Sequence, residues 1–436
     1  MAAGMSAIPE HSDDPHRNFS GKSTRLVAWT VALLLIVLGS TLRIVPSAGF
    51  QGVGFDESIY RRYLLQLDRV GLTEYPAICE FHIADQAKQE SIAKLPPTRF
   101  LYICSAWIWK RITFGDDPPG SSDSPAFVKD DPALVSLHRV ACLFSILLLA
   151  LCGVAGVRML GTPAGLGVLA LMAFAPLQIH MAQHALIDGF FAFWAMLCLW
   201  LLWENLRSPN DPRWLAPFGV ALACMVLTKE NAFFVYAALL GGVAGNRWAK
   251  FGKVTLRLLL VMVLGPLCGL TLLIILAGGT AQFFQIYQLL VAKAQTLDYA
   301  ILTGDGPWHR YLVDLMLMSP LILCLAISAG LAVLKENKAL LFLTGFVFFS
   351  YLIMCNVRYG MNLRYTTIWD FPLRALAIAQ LSVLAGAFGS RKPLGMILLL
   401  AGVCAHELHQ YVVYFKDGGL YELVTEGLLR AVKILK

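Results

Sequence analysis

Charged residues are scarce in this sequence. Only 14% of its 436 residues are Asp, Glu, Lys or Arg, whereas 58% are hydrophobic. A soluble globular chain carries about 25% charged residues, so this composition excludes a soluble protein. The apolar runs are continuous and lack the short alternating pattern of a membrane β-barrel. The sequence therefore predicts an all-α polytopic membrane protein.

Other signals are missing as well. The ten cysteines show no spacing typical of a zinc site, and most lie inside apolar runs, where they act as small hydrophobic residues. The net charge of +7 is spread along the chain, which indicates basic cytoplasmic loops and no nucleic-acid partner. We expect no cleavable signal peptide, because the first apolar run, 26–45, is long enough to remain as an anchor.

Short loops rich in Lys and Arg divide the chain into hairpins and mark the cytoplasmic side. These loops lie near residues 158, 207–213, 247–257, 335–338 and 391–392. Each interval between them holds two crossings, so its tip faces outward. The tips lie near residues 178–188, 229–230, 278–309 and 356–366. With single spans near 26–45, 136–157 and 394–412, the sequence predicts about 11 transmembrane helices.

The predicted organisation has three parts. Residues 1–24 form a cytoplasmic tail, 25–413 form the membrane domain, and 414–436 form a short amphipathic tail with a helix near 421–435. The first outer loop, 47–135, is long, and two stretches in it have the apolar spacing of interfacial helices. One begins at Asp56 and the other covers residues 100–112.

Two adjacent carboxylates, Asp56 and Glu57, follow the first predicted span. Acidic residues are costly to hold near lipid, so a function is expected for them. Asp56 is our candidate for a general base that takes a proton from an acceptor hydroxyl. The structural alternative is that the pair caps the helix that follows, since acids favour a helix N-terminus.

A second acidic position, Asp188, begins a long apolar helix and faces the same side as Asp56 in the predicted topology. It is a further candidate catalytic residue, with helix capping as its structural alternative. His184 lies four residues earlier on the same helical face, so we expect it to contact substrate. Asp188 and His184 could also hold a divalent cation. No cofactor is certain from the sequence.

Four basic residues near the outer tips are candidates for binding an anionic group. They are Arg139, Lys229, Arg358 and Arg364. Arginine suits a phosphate because its guanidinium binds two oxygens at once. The alternatives are that Arg139 snorkels to the interface, that Lys229 only forms a hairpin turn, and that the 358–364 tip rests on lipid headgroups.

Three aromatic residues accompany these charges. Tyr60, Trp308 and Tyr365 are candidates for substrate contact, because aromatic rings stack on sugars and on isoprenoid chains. Trp308 and its neighbours could instead form an interfacial aromatic belt.

Four motifs together resemble the C-type glycosyltransferase superfamily. They lie at residues 55–60, 183–188, 306–311 and 362–365. Their content is an acidic pair with an aromatic residue, a second acidic site, a proline–tryptophan–aromatic stretch and an arginine–tyrosine pair. The order and spacing cover nearly the whole chain. The closest resemblance is to the bacterial branch related to dolichyl-phosphate-mannose protein mannosyltransferases and to the lipid A aminoarabinose transferase, although members often have arginine where this chain has His184.

The resemblance implies transfer of a sugar from a polyprenyl-phosphate donor to a protein, lipid or glycan acceptor, with inversion at the sugar carbon. It implies that Asp56 is the catalytic base, that Glu57 and Asp188 position the acceptor or a divalent cation, and that Arg364 and Arg139 stabilise the departing phosphate. It also implies a bacterial plasma membrane location with the site on the extracytoplasmic side.

A transporter or flippase for a lipid-linked or anionic substrate is the rival interpretation. That class predicts ionisable residues near helix midpoints and paired broken helices. In this sequence the charged residues are grouped near predicted helix ends, which favours chemistry at the membrane surface.

Overall fold

The computed structural model describes residues 22–45, 53–88, 92–115, 131–332, 337–357 and 360–435. These ranges contain nineteen α-helices and no β-strand. The helices are α1 Lys22–Ile44, α2 Phe55–Val70, α3 Tyr75–Lys88, α4 Phe100–Phe114, α5 Pro132–Leu160, α6 Thr162–Ala173, α7 Pro176–Ala182, α8 Ile187–Arg207, α9 Pro212–Thr228, α10 Ala232–Ala249, α11 Leu256–Leu276, α12 Thr280–Thr296, α13 Asp298–Gly304, α14 Arg310–Met318, α15 Pro320–Ala332, α16 Lys338–Met354, α17 Asp370–Ala385, α18 Lys392–Tyr411 and α19 Thr425–Ala431.

The predicted all-α polytopic membrane class is confirmed. Five segments of the described chain are long and apolar enough to cross a bilayer, and the pair α6 and α7 would make a sixth. One of the five, Leu363–Asp417, contains both α17 and α18. Three shorter apolar helices lie in α9, α15 and α16. The number of about 11 spans stays a prediction.

The break between α6 and α7 shapes the centre of the fold. The two helices meet at an angle of 56°, because Ala175 is extended before Pro176, which disfavours helical backbone at the preceding residue. All seven residues of α7 are buried. Broken helices are tolerated at membrane depth where other parts of the protein cover them. After α7, the N–H of Ala185 donates to Glu57 at 2.7 Å, so α8 begins beside the start of α2.

The hairpin that was predicted near residues 214–246 is present as two helices. Residue Lys229 has extended backbone and ends α9, and α10 begins three residues later. Both halves are short, which explains why the hydropathy pattern alone could also fit one tilted helix. The two-helix turn brings Lys229 to the same end of the bundle as the start of α8.

The first outer loop is helical where the sequence predicts it and in one further place. Helices α2 and α4 match the two predicted stretches, and α3 was not predicted. The outer segment 278–309 was expected to be a loop, but it forms α12 and α13. Helix α12 packs on α3 and buries Phe283 and Ile286. Helices α3 and α12 cover each other, so neither has a strong amphipathic pattern when its sequence is considered separately.

The segment after α18 differs from the predicted helix at 421–435. A π-helical turn, Val412–Asp417, is followed by non-helical chain and then by the short helix α19. Leu423 and Leu428 are fully buried, and α19 packs on α14. This part of the tail is therefore folded onto the protein, where contacts with α14 replace contacts with lipid.

Candidate active site

Helix starts and turns present the candidate charges. Asp56 and Glu57 lie in the first turn of α2, and Asp188 lies in the first turn of α8. Acidic side chains are favoured there because the backbone N–H groups of the first turn are electropositive. Arg364 lies in a 3₁₀ turn, Leu363–Trp369, and Lys229 lies between α9 and α10.

These residues meet in one ionic group, which we call the motif cluster and define as Asp56, Asp188, Lys229 and Arg364. Arg364 Nη1 lies 2.6 Å from Asp56 Oδ2, and Arg364 Nε lies 3.8 Å from Asp188 Oδ2. Lys229 Nζ donates to Asp188 Oδ1 at 2.6 Å. All four residues are largely buried. Four positions that are distant in the sequence therefore share one site.

Glu57 fixes the position of the α2 start. Its carboxylate accepts hydrogen bonds from the backbone N–H groups of Gly54 and Ala185, both at 2.7 Å, and lies 3.4 Å from His184 Nδ1. Burial raises the pKa of Glu57, but the His184 contact and the two N–H donors outweigh it, so its pKa is lowered. Glu57 thus ties α2 to the turn before α8.

A second ion pair, Arg99 with Glu230, adjoins the motif cluster. Arg99 Nε donates to Glu230 Oε2 at 3.1 Å, and a second guanidinium nitrogen donates to Glu230 Oε1. Arg99 also donates to the Tyr60 hydroxyl. Sequence reasoning missed both charged residues as site candidates. Glu230 directly follows Lys229, and the pair was interpreted as a hairpin turn. Arg99 lies in none of the four motifs.

The predicted aromatic and histidine contacts fall at different distances from the cluster. The Tyr365 ring lies 4.2 Å from Lys229 Nζ, which is a cation–π contact. Tyr60 is fully buried behind Arg99, and burial raises its pKa. His184 adjoins Glu57. Trp308 is 62% exposed, and its carbonyl accepts from the Tyr351 hydroxyl, so its predicted role in substrate binding stays a prediction.

One predicted phosphate ligand, Arg139, does not join the motif cluster. Arg139 is exposed on α5, with its guanidinium 5.7 Å from the centre of the Phe114 ring. Arg358 lies outside the described residues. Their roles stay predictions.

The described chain contains no group of three or more His, Cys, Asp or Glu side chains that could hold a metal ion. Asp188 is paired with Lys229 and Arg364, whereas His184 faces Glu57. The suggested divalent cation at Asp188 and His184 therefore stays a prediction.

Comparisons with known proteins identify the fold that carries this site. A family model described as dolichyl-phosphate-mannose-protein mannosyltransferase matches residues 106–287, a range that includes Asp188, Lys229 and Glu230. A search of curated proteins finds no match. Among solved structures, ArnT from Cupriavidus metallidurans has a TM-score of 0.53 at 14% identity, over 91% of this chain and 70% of that one. The chain has the GT-C glycosyltransferase fold.

Two further structures share this GT-C fold. ArnT bound to undecaprenyl phosphate has a TM-score of 0.51 at 13% identity, over 95% of this chain and 74% of that chain. The oligosaccharyltransferase AglB from Archaeoglobus fulgidus, in complex with an inhibitory peptide and a dolichol-phosphate, has a TM-score of 0.59 at 11% identity. That match covers 93% of this chain and 57% of AglB. The predicted resemblance to the C-type glycosyltransferases is thus confirmed at the level of the fold, and the family model matches part of the chain.

The GT-C fold of this chain also contains a second buried ionic group, which we call the interior network. Arg374 of α17 pairs with Asp370 and donates to Glu407 Oε2 of α18 at 2.6 Å. Gln178 donates to Asp370 at 2.7 Å, and the Ser319 hydroxyl donates to Glu407 at 3.1 Å. This network is an exception to the predicted grouping of charges near helix ends, since Glu407 lies inside α18 and is fully buried.

Proposed function

We propose that this protein is an integral membrane glycosyltransferase that moves a sugar from a polyprenyl-phosphate donor to an acceptor hydroxyl, with Asp56 as the general base. One observation carries the proposal: Asp56 and Arg364 are in contact beside Asp188 and Lys229. A carboxylate that can take a proton and cations that can hold a phosphate thus occupy one site.

The proposed reaction is a displacement at the anomeric carbon of the donor sugar. The acceptor oxygen forms a bond to this carbon while the bond from the carbon to the phosphate oxygen breaks. The electron pair of the broken bond leaves with the polyprenyl phosphate, and the acceptor proton passes to Asp56. Attack from the face opposite the leaving phosphate inverts the configuration. General base catalysis of this kind contributes about 10²–10⁴-fold.

The contacts separate the roles of the three carboxylates. Glu57 is held by two backbone N–H groups, and Asp188 is held between Lys229 and Arg364. In the described chain, the ionic partner of Asp56 is Arg364. When a donor phosphate binds Arg364, Asp56 would lose this partner and become available as a base. This exchange favours Asp56 over the other two carboxylates.

The cations serve the leaving group. Negative charge develops on the phosphate as the bond breaks, and prearranged cations in a site shielded from water stabilise it strongly. Arg364 and Lys229 are buried and converge on Asp188, so they are the proposed phosphate ligands. The undecaprenyl phosphate and dolichol-phosphate in the ArnT and AglB structures support this donor class. The acceptor is a protein, lipid or glycan that presents a hydroxyl.

Helix α8 supports an extracytoplasmic site. Its 21 residues rise about 30 Å, the thickness of the hydrocarbon core. The motif cluster lies at its start, and its other end adjoins Arg158 and the basic segment near Lys253. Basic loops face the cytoplasm, so the cluster would face outward from a bacterial plasma membrane.

Transfer activity tests the proposal. We would reconstitute the protein in liposomes with undecaprenyl-phosphate-linked mannose and bacterial membranes as the acceptor source. Mass spectrometry of lipids that co-purify with the protein would identify other donor sugars to test in the same assay. Asp56→Asn is expected to lower transfer about 10³-fold, because it removes the base. Glu74→Gln, which changes an exposed acid near the end of the α2 segment, is expected to transfer like the wild type.

Full transfer activity of Asp56→Asn would reject Asp56 as the base. The orientation of the protein in the membrane is tested separately, by labelling whole cells with a membrane-impermeant thiol reagent. The wild type serves as the blank. Glu74→Cys should be labelled from outside, and Arg213→Cys only after the cells are opened. The reverse pattern would place the cluster on the cytoplasmic side.

A further inference from the structure

A stretch of the C-terminal segment lies directly over the start of α2. We call residues 420–425 the strap. It connects the π-helical turn Val412–Asp417 to α19. Leu423 in its middle is 1% exposed, so the strap is packed into the protein. None of the four sequence motifs includes this stretch, and the proposed reaction has so far assigned it no role.

One side of the strap contacts the segment that carries Asp56. The Tyr421 ring lies against Gly54 so closely that a Cβ on Gly54 would be 1.9 Å from Tyr421 Cζ. The same ring meets the His184 ring edge-on, with 5.1 Å between their centres. Gly54 donates its N–H to Glu57, and His184 faces that carboxylate. Tyr421 therefore covers the junction that sets the first turn of α2.

The other side of the strap contacts the segment that carries Arg364. The carbonyl of Leu423 accepts a hydrogen bond from the N–H of Leu363 at 3.3 Å. The next contact anchors the strap to α14, where the Thr425 hydroxyl donates to Asp314 Oδ1 at 2.7 Å. Residues 421 and 423 thus contact the two segments whose side chains form the Asp56–Arg364 ion pair.

We propose that the strap is a positioning element of the active site and that Tyr421 is its positioning residue. The inference rests on the proposed function. The Tyr421 ring holds Gly54 and His184 in place, and through them it fixes the direction in which Asp56 points. Tyr421 does not touch the reacting atoms in this arrangement. Leu423 fixes the backbone next to Arg364, so the strap fixes the positions of Asp56 and Arg364 relative to each other.

The expected size of the effect follows from the geometry. A shift of about 1 Å in a reacting group can lower the rate about 10²-fold. Without the ring, the start of α2 keeps the Glu57 hydrogen bonds but loses the surface that stops it from moving outward. The Tyr421 hydroxyl oxygen lies as close to the Gly54 Cβ position as Cζ does, at 1.9 Å. Phenylalanine should therefore keep the ring contact with His184 and part of the contact with Gly54.

The test compares four variants in the liposome assay. Tyr421→Ala is expected to lower kcat about 10–100-fold with a donor KM within about 2-fold of wild type, because phosphate binding is kept while alignment is lost. Tyr421→Phe should retain a clearly higher kcat than Tyr421→Ala, because it keeps the ring. Gly54→Ala should be impaired because its Cβ meets the ring, and the double variant Gly54→Ala with Tyr421→Ala should be no worse than Tyr421→Ala. Tyr236→Ala, a tyrosine on α10 that donates to Met262, is the matched control.

The decisive comparison introduces Tyr421→Ala into the Asp56→Asn variant. If Tyr421 acts by aligning Asp56, Tyr421→Ala should cause no further loss once that carboxylate is gone. A further loss there, a Tyr421→Phe variant as weak as Tyr421→Ala, or an increase in donor KM that accounts for the whole defect would overturn the proposal.

Melting temperature separates this inference from the proposed function. A wild type that transfers no sugar from any polyprenyl-phosphate donor would reject the proposed function and the positioning role together. The contact between Gly54 and Tyr421 would still be measurable, since the two single variants should lower the melting temperature and their effects should not add in the double variant. Additive effects would show that the two residues do not act through one contact.

Discussion

The motif cluster and the interior network use the same side-chain types in different surroundings. Each places an arginine between carboxylates, Arg364 in the first and Arg374 in the second. The Arg364 side chain is 14% exposed and that of Arg374 is 2% exposed. The first group lies at helix starts and turns, whereas Arg374 and Glu407 lie inside helices. A buried ion pair therefore indicates a reaction site here only where it lies near a surface that substrate can reach.

The surroundings also decide what each group contributes. Removing one partner of a sealed ion pair leaves a buried charge without compensation, which is strongly destabilising. A partly accessible group can exchange one partner for a bound ligand. We therefore expect substitutions in the interior network to change stability and those in the motif cluster to change transfer.

The largest effect on folding is expected from Arg374→Met. This change leaves Asp370 and Glu407 buried without their cation and should lower the free energy of unfolding by about 3–5 kcal/mol. Thermal unfolding in detergent measures it. Arg430→Met is the control, because the side chains of Arg430 and its partner Glu426 are 61% and 64% exposed, and such pairs contribute about 0–1 kcal/mol. Equal losses in the two variants would remove the distinction between sealed and exposed pairs.

Arg364→Gln should have the largest effect on transfer among the cations. It removes a group that would stabilise charge on the departing phosphate, and kcat should fall about 10²–10³-fold. The measurement is kcat per folded molecule for Arg364→Gln and for Arg374→Met, which should differ strongly. If Arg374→Met lost as much turnover per folded molecule as Arg364→Gln, the interior network would belong to the reaction site.

A smaller effect is expected from Glu57→Gln, and it depends on pH. The folded-state pKa of Glu57 lies below its ordinary value of 4.5, so its stabilising contribution is present above that value and is lost as pH falls through the folded pKa. At pH 7 the variant should be less stable by about 1–3 kcal/mol, since hydrogen bonds to a charged group are lost. The difference from wild type should narrow below pH 4.5. Melting temperatures at several pH values measure it, with Glu74→Gln as the control, and a constant difference would contradict it.

The convergence of Asp56, Asp188, Lys229 and Arg364 was predictable from sequence. Each lies next to an apolar run, and the charge of the loops assigns all four to one side of the membrane. The hydropathy pattern also located α1, α5, α8 and the α9–α10 hairpin, since apolar runs of this length have few alternatives in a bilayer.

Some charged residues were missed because neither a motif nor the hydropathy pattern pointed to them. Arg99 becomes part of the site because α2, α4 and the α9–α10 turn meet there, and only packing brings Tyr60 and Glu230 to its guanidinium. The interior network was missed because Arg374 and Glu407 lie on two different helices and belong to none of the four motifs. Their pairing depends on how α17 and α18 face each other.

The sequence by itself determined the membrane class, the position of the acidic residues at helix starts and their placement at one end of the helix bundle, because the cost of placing charge in hydrocarbon acts on each segment separately. Tertiary structure alone decided which charge pairs with which, that Glu57 binds backbone while Asp56 meets Arg364, and that the strap covers Gly54. Those outcomes depend on distances of a few ångströms between segments far apart in the chain, and no local pattern records such distances.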